Sequence, residues 1–358
     1  MKAGLIAIDG LDVFMNLISD SDQRRNEINR LHNWLKTEKL TALMTMKALT
    51  AGNKFPSYEF LDFMVDCVLH LDHRISNQVS TRRLRIIKYR GSSFARNECP
   101  YSITENGIYI VPISSNELSH MELGEKMLTG HQDIDRILSG GYRRGSSILI
   151  SGASGTGKTI LTCTFAIAAS QRQEKTLIIN FEESKDAAVK NMLSPGLDLR
   201  PNLQSGNLRF IGIMPESSGS EEHLIRIFKA IDEFAPDHLI IDAISAIKRS
   251  GADQSSSDFL KRLMHYTKEL GITLFYINQT EGFINTDQTE ISGINISSLL
   301  DTVIFLRYIE TGDKVKRVIL VMKARGSYHS NRYHEYRITD KGIDFTNIDD
   351  ENKGMKTE

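Results

Sequence analysis

The stretch Gly152-Ala-Ser-Gly-Thr-Gly-Lys-Thr159 has the spacing G-x-x-x-x-G-K-[ST], which suits the phosphates of a nucleotide. Glycines let backbone N–H groups turn inward around phosphate oxygens, and a helix starting there adds the positive end of its dipole. Lys158 then reaches the β- and γ-phosphates of ATP, and Thr159 faces Mg2+. The nucleotide-binding set expected from this motif is Gly152, Ser154, Gly155, Thr156, Gly157, Lys158, Thr159 and Ile160. Three acids could complete the chemistry. Asp242 ends the hydrophobic run HLIID and would hold the metal directly or through water; taken alone it reads equally as a helix N-cap. Glu182 and Glu183 follow the run TLIINF, and one of them could take a proton from an attacking hydroxyl or water. The same pair also reads as a capping cluster on a helix starting near Ser184.

These groups converge only if parallel strands present them at their C-terminal ends. Apolar runs alternate with helical periodicity along the chain, which predicts an α/β architecture with a largely parallel sheet. Strands are expected at 146–151, 176–181, 207–213, 238–242 and 272–278, and helices at about 158–170, 221–234 and 258–270. From 301 onward short strands dominate.

A second signal is a repeat. KYRGSS at 88–93 returns as KARGSY at 323–328, and YSITENGI at 101–108 as YRITDKGI at 336–343. The lysines of the first pair, at 88 and 323, are 235 positions apart, and the acids Asp9 and Asp242 are 233 apart. A nearly constant offset over several segments indicates a duplicated domain. The first copy has no counterpart of 129–237 and so no phosphate loop. The expected organisation is a partial domain over 1–112, a polar linker over 113–125, a complete domain over 126–346, and a disordered polar tail over 347–358.

Composition narrows the function class. A formal net charge of −1 gives no bulk attraction to nucleic acid or acidic membranes. No run approaches the ~20 apolar residues of a membrane span. Three scattered cysteines suit a reduced interior, so the expected location is cytoplasmic. The basic stretch TRRLRIIKYR (81–90) is the best support for a DNA-processing ATPase, although alternating charges on a strand more often form a solvated or interface face.

TGHQDIDRILSGGYRRGSSILISGASGTGKT, FEES, IIDAISAI and MKARGSYH, in this order, resemble the KaiC family of RecA-like ATPases. The resemblance covers nearly the whole chain: 126–346 resembles the second KaiC domain, and 1–112 the back half of the first. It implies a RecA-like P-loop NTPase fold and a homo-oligomeric ring, expected to be a hexamer. It implies that Lys323 and Arg325 reach a neighbour's ATP, with Arg317, Gly326, Ser327 and His329 at adjoining contact positions. Lys88 and Arg90 then become a relic, or fingers for a full-length partner in a mixed ring. The resemblance makes Glu182 the base and a metal-site acid with Thr159 and Asp242, with Glu183 tuning it and Lys158 on the phosphates. It also places Ser297 and Ser298 at a serine/threonine autophosphorylation site, with Ser292 nearby; Ser-Ser there also reads as a helix cap. KaiB-like or other signalling proteins are the implied partners. The expected activity is that of an ATPase and serine autokinase, against the alternative of a ring ATPase without kinase activity.

Overall fold

The computed structural model describes residues 4–47, 59–76, 79–105, 107–110, 123–247, 253–280 and 299–346, and the chain divides into two compact units. The expected acceptors Ser292, Ser297 and Ser298, much of the linker 113–125 and the tail 347–358 lie outside the described residues.

The first unit takes 1–72 and 83–99. It contains β1 (Leu5–Ile8), α1 (Leu11–Asn16), α2 (Ser21–Thr37), β2 (Thr41–Met44), α3 (Glu59–Met64) and parts of β3 (Cys67–Ser76) and β4 (Val79–Tyr89). β1 and β2 pair in parallel, Leu5 opposite Thr41 and Ala7 opposite Leu43. Asp20 caps α2 by accepting from the N–H groups of Asp22 and Gln23. A small core of Leu11, Met15, Ile28 and Leu61 packs the three helices together.

The second unit takes 73–82 and 100–358. Its elements include most of β5 (Cys99–Thr104), followed by β6 (Gly107–Ile110), β7 (Lys126–Met127), α4 (Gln132–Ile137), β8 (Tyr142–Arg143), β9 (Ser147–Gly152) and α5 (Lys158–Gln171). Then come β10 (Thr176–Asn180), α6 (Lys185–Leu193), α7 (Arg200–Gln204), β11 (Leu208–Gly212), α8 (Ser220–Phe234), β12 (His238–Asp242), α9 (Ile244–Ile247) and α10 (Asp253–Glu269). β13 (Thr273–Gln279), β14 (Thr302–Thr311), β15 (Lys314–Ala324), β16 (His334–Thr339) and β17 (Gly342–Phe345) complete it.

Nine strands form one sheet in the order β11-β10-β12-β13-β9-β14-β15-β16-β17. The first six are parallel to their neighbours, and the last three add an antiparallel extension. The parallel strands are buried on both faces, which is why they read as continuous Val/Ile/Leu runs. Alternate side chains feed two cores. Leu149, Ile179, Ile241 and Tyr276 join Leu224, Phe228 and Leu263 of α8 and α10 on one face. Ile150, Ile178, Ile240 and Phe275 join Leu161 and Phe165 of α5 on the other. α10 begins at Asp253, before the position its apolar spacing predicts, because the stretch Asp253-Gln-Ser-Ser-Ser has no hydrophobic repeat.

The element order of the first half recurs in the second. β12 starts 233 positions after β1 (residues 238 and 5). β14, β15, β16 and β17 each start 235 after β3, β4, β5 and β6 (302 and 67, 314 and 79, 334 and 99, 342 and 107). The sheets differ among the described residues. In the complete sheet β9 lies between β13 and β14, whereas β1-β2 and β3-β4-β5-β6 are separate sheets.

Candidate nucleotide site

The register brings the C-terminal ends of four strands together. Asn180 lies opposite Asp242, Gln279 opposite Gly152, and Leu306 beside Gly152 on the other side. The phosphate loop leaves β9 here and enters α5. Gly152 is required because a Cβ would come within 2.2 Å of the Leu306 carbonyl oxygen. Gly157 caps α5 at φ 91°, a left-handed conformation that glycine adopts without strain, and no side chain caps this helix. Its first N–H groups are therefore offered to an anion.

Lys158 is buried, and its ammonium donates to the Ala153 carbonyl at 2.8 Å, folded against its own loop. Burial pulls its pKa down, opposed by the negative charges of Asp242 and Glu182. Thr159 Oγ1 donates to Asp242 Oδ2 at 2.9 Å, so the two oxygen donors expected to meet Mg2+ are side by side. Burial pushes the Asp242 carboxyl up to about 6, with the Glu182 charge adding to the rise and the Thr159 hydrogen bond and Lys158 opposing it. Hard oxygen donors at this spacing fit Mg2+. Among the described residues no cluster of three or more acidic, His or Cys side chains could cage a metal. An ion held here would take Thr159 and Asp242 directly or through water, and complete its shell with nucleotide oxygens and water.

Glu182 and Glu183 sit on the turn after β10. Buried Asn180 accepts from both their backbone N–H groups, at 2.8 and 2.6 Å, and Asn191 donates to Glu183 Oε1 at 3.1 Å. Ser184, not the glutamates, caps α6. Sequence reasoning passed over Asn180; a polar residue closing a wholly buried strand just before two acids is the signal that could have found it. It also passed over two tyrosines that brace the loop. Tyr336 donates to the Thr156 carbonyl and Tyr308 to that of Ser154. Arg317 Nε donates to the Gly155 carbonyl at 3.1 Å and stacks over Tyr308, so within one chain Arg317 lies at the chain's own loop.

The K-x-R-G-S element lies elsewhere. Thr302 pairs with both Ile148 and Ala324, four positions along the sheet from the Leu306–Gly152 pairing. At about 3.3 Å per residue the turn after β15 is roughly 13 Å or more from the phosphate loop, toward the opposite end of the sheet. Lys323 Nζ donates to the Leu300 carbonyl at 2.6 Å, and burial together with Arg325 lowers its pKa. Arg325 donates its N–H to the Asp301 carbonyl at 2.7 Å and pairs with the Asp301 carboxylate at 3.5 Å. Buried Asp301 also holds Lys268 at 3.1 Å and the N–H of Ser147. Gly326 accepts from Arg143, the Ser327 hydroxyl donates to the Tyr328 carbonyl, and His329 Nδ1 bonds to the Ser330 carbonyl. In the first unit Arg90 makes the same double contact with Asp66, and Lys88 donates to the Asp62 and Phe63 carbonyls. Arg83 of the basic stretch is paired with Glu98. The three cysteines are free, as expected, and no described helix is long and apolar enough to cross a membrane.

Comparison with known proteins gives a family. The model of the KaiC ATPase family matches residues 1–115 and 127–350. The circadian clock protein KaiC2 of Synechocystis sp. is 36% identical over 343 residues, covering 95% of this chain and 59% of the relative. KaiC3 of the same organism is 31% identical over 96% of the chain and 68% of its own length. The circadian clock oscillator protein KaiC of Synechococcus elongatus is 31% identical over 96% and 66%. The chain thus spans about three-fifths to two-thirds of the length of these curated relatives.

Proposed function

The chain belongs to the KaiC family of ATPases and is a KaiC-like ATP-binding protein, and from that premise we propose a ring-forming Mg·ATPase and serine autokinase whose active sites are completed by the neighbouring subunit. One observation carries this reading. The phosphate loop and the Lys323–Arg325 element lie toward opposite ends of the same strands, so in a single chain neither cation can serve the chain's own nucleotide. Stacking copies head to tail around a ring puts one copy's element against the next copy's loop, and the resemblance to KaiC implies that the ring is a hexamer.

The proposed residue roles are these, and the geometry is compatible with them. Lys158 leaves the Ala153 carbonyl for the β- and γ-phosphates, and α5 offers its N–H groups. Thr159 and Asp242 would hold Mg2+, which would supply positive charge to the phosphate oxygens. Arg325 and Lys323 of the neighbour face the charge that develops on the transferred phosphoryl group, an effect worth on the order of 10³-fold or more. Glu182, held on the Asn180 turn, accepts the proton of the attacking hydroxyl as its oxygen bonds to the γ-phosphorus and ADP leaves. With water as the attacker the product is free phosphate; with Ser297 or Ser298 it is phosphoserine. Residues 1–112 are read as the back half of a duplicated domain, and the protein acts in signalling or regulation.

The test is intact-mass and peptide mass spectrometry after incubation with Mg·ATP. Phosphate on 292–298 that is lost in Glu182→Gln, with ATP binding kept, is the expected result. ATP turnover with no phosphate on that segment overturns the kinase and leaves the ring ATPase.

A further inference from the structure

We propose that Asp301 is a positioning residue for phosphoryl transfer: it sets Arg325 for the nucleotide of the neighbouring subunit. This deepens the two-subunit reading above and rests on it. Asp301 immediately precedes β14, and its side chain is only 3% exposed. Its backbone is fixed to the sheet, since its N–H donates to the Ser147 carbonyl at 2.9 Å. The Ser147 N–H donates back to Asp301 Oδ2, also at 2.9 Å. Onto this fixed point Arg325 is tied twice, by its N–H to the Asp301 carbonyl at 2.7 Å and by its guanidinium to Oδ1 at 3.5 Å. The preceding carbonyl, that of Leu300, accepts from Lys323 Nζ. The Arg325 side chain is still 50% exposed, so its guanidinium is oriented without being covered.

Burial alone does not account for this arrangement. A buried carboxylate needs a partner, and Lys268 in the last turn of α10 supplies one at 3.1 Å, on the same oxygen that takes the Ser147 N–H. Oδ1 faces a second cation, and that cation is Arg325. The first unit separates the two roles. Asp66 and Arg90, 235 positions before Asp301 and Arg325, make the same double contact, at 2.9 Å to the carbonyl and 3.3 Å to Oδ1. There the acid's side chain is 75% exposed, so it has no buried charge to balance, and an exposed pair contributes only about 0–1 kcal/mol. What recurs is the aim of the arginine. A misplacement of about 1 Å can cost on the order of 100-fold in rate, so an acid that aims a trans arginine matters more to kcat than to stability.

The test variant is Asp301→Asn, whose side-chain oxygen can still accept from the Ser147 N–H while the charge facing Arg325 is gone. Its rings should show kcat lowered about 10- to 100-fold, with KM within about twofold of wild type. Calorimetry at concentrations below ring assembly should give unchanged ATP affinity, because its own phosphate loop is intact. Mixing then locates the defect. With Lys158→Ala subunits, turnover should recover to about a quarter of wild type. With Arg325→Ala subunits it should stay at or below the mean of the two pure rings, since neither copy then offers a well-placed arginine. Lys268→Met, which removes the other cation, should leave kcat nearly unchanged. Asp301→Glu, which keeps the charge, should retain a higher kcat than Asp301→Asn, and it carries the same mixing test if native mass spectrometry finds no rings of the asparagine variant. Recovery to about a quarter in the Asp301→Asn and Arg325→Ala mix, while Lys158→Ala with Arg325→Ala also recovers, puts the defect in the variant's own site and overturns the assignment of Asp301 alone. An unchanged kcat in Asp301→Asn, a loss of its ATP affinity, or an equal loss of kcat in Lys268→Met does the same. No recovery in the Lys158→Ala and Arg325→Ala mix overturns the two-subunit reading, and the role of Asp301 falls with it.

Discussion

Replacing Asp242 by asparagine should stabilise the free protein while destroying its use of Mg·ATP. The carboxylate is buried at the end of β12, and its pKa rises from 3.8 to about 6 chiefly because burial disfavours the charge. The folded state then binds a proton more tightly than the unfolded chain. This group's stability contribution is fully present below about pH 4 and is lost as pH rises through about 6. Above both values the ionised group costs up to about 3 kcal/mol, from about 1.4 kcal/mol per pH unit. The asparagine side chain keeps an oxygen for the Thr159 hydroxyl, the bond seen at 2.9 Å to the native carboxylate, and carries no charge. At pH 8 the variant should gain about 1–3 kcal/mol, roughly 2 °C or more in Tm, and near pH 4 the gain should vanish. Thermal unfolding without nucleotide at pH 4, 6 and 8 measures this, and the wild type should gain more from Mg·ATP than the variant. A gap between the two proteins that does not change with pH, or a less stable variant at pH 8, would refute the reasoning.

Three further outcomes follow from the site. Wild-type affinity for Mg·ATP should fall about tenfold per pH unit below about 6 as Asp242 protonates, and in Asp242→Asn this component should be missing; calorimetric titrations of both proteins compare the slopes. Asn180→Ala leaves the part-buried N–H groups of Glu182 and Glu183 without their acceptor, costing about 1–2 kcal/mol. In steady-state assays it should lower kcat much more than it raises KM. Gly152→Ala forces a Cβ against the Leu306 carbonyl, so denaturant unfolding should show a loss of several kcal/mol, whereas the same change at Gly206, where the added atom meets nothing within 4 Å, should cost less.

Much of this was readable in the sequence because the signals were local. A buried parallel strand is a short apolar run, so β9, β10, β12 and β13 fell within a residue or two of their expected bounds. The phosphate loop is one contiguous motif; in the structure Thr159 bonds to Asp242, while Lys158 folds back on the Ala153 carbonyl. What could not be read depends on register between distant segments. Tyr336 and Tyr308 brace a loop more than 150 positions away, and nothing beside them in sequence marks that task. Asp301 looks like an ordinary acid before a strand, yet it anchors Lys268 and Arg325 together. The similarity of the KxRGS and ITxxGI segments was legible, but that the described strands β1-β2 and β3-β4-β5-β6 form separate sheets required the strand order.

The central claim is that each ATP is served by two subunits, and mixing inactive variants tests it most directly. Lys158→Ala subunits keep a sound Lys323–Arg325 element, and Arg325→Ala subunits keep a sound phosphate loop. In randomly mixed rings at equal ratio about a quarter of the interfaces combine the two intact halves, so turnover should recover to about a quarter of wild type from near zero. Native mass spectrometry establishes that both variants share a ring. Rings that contain both subunits and still show no turnover would contradict the claim.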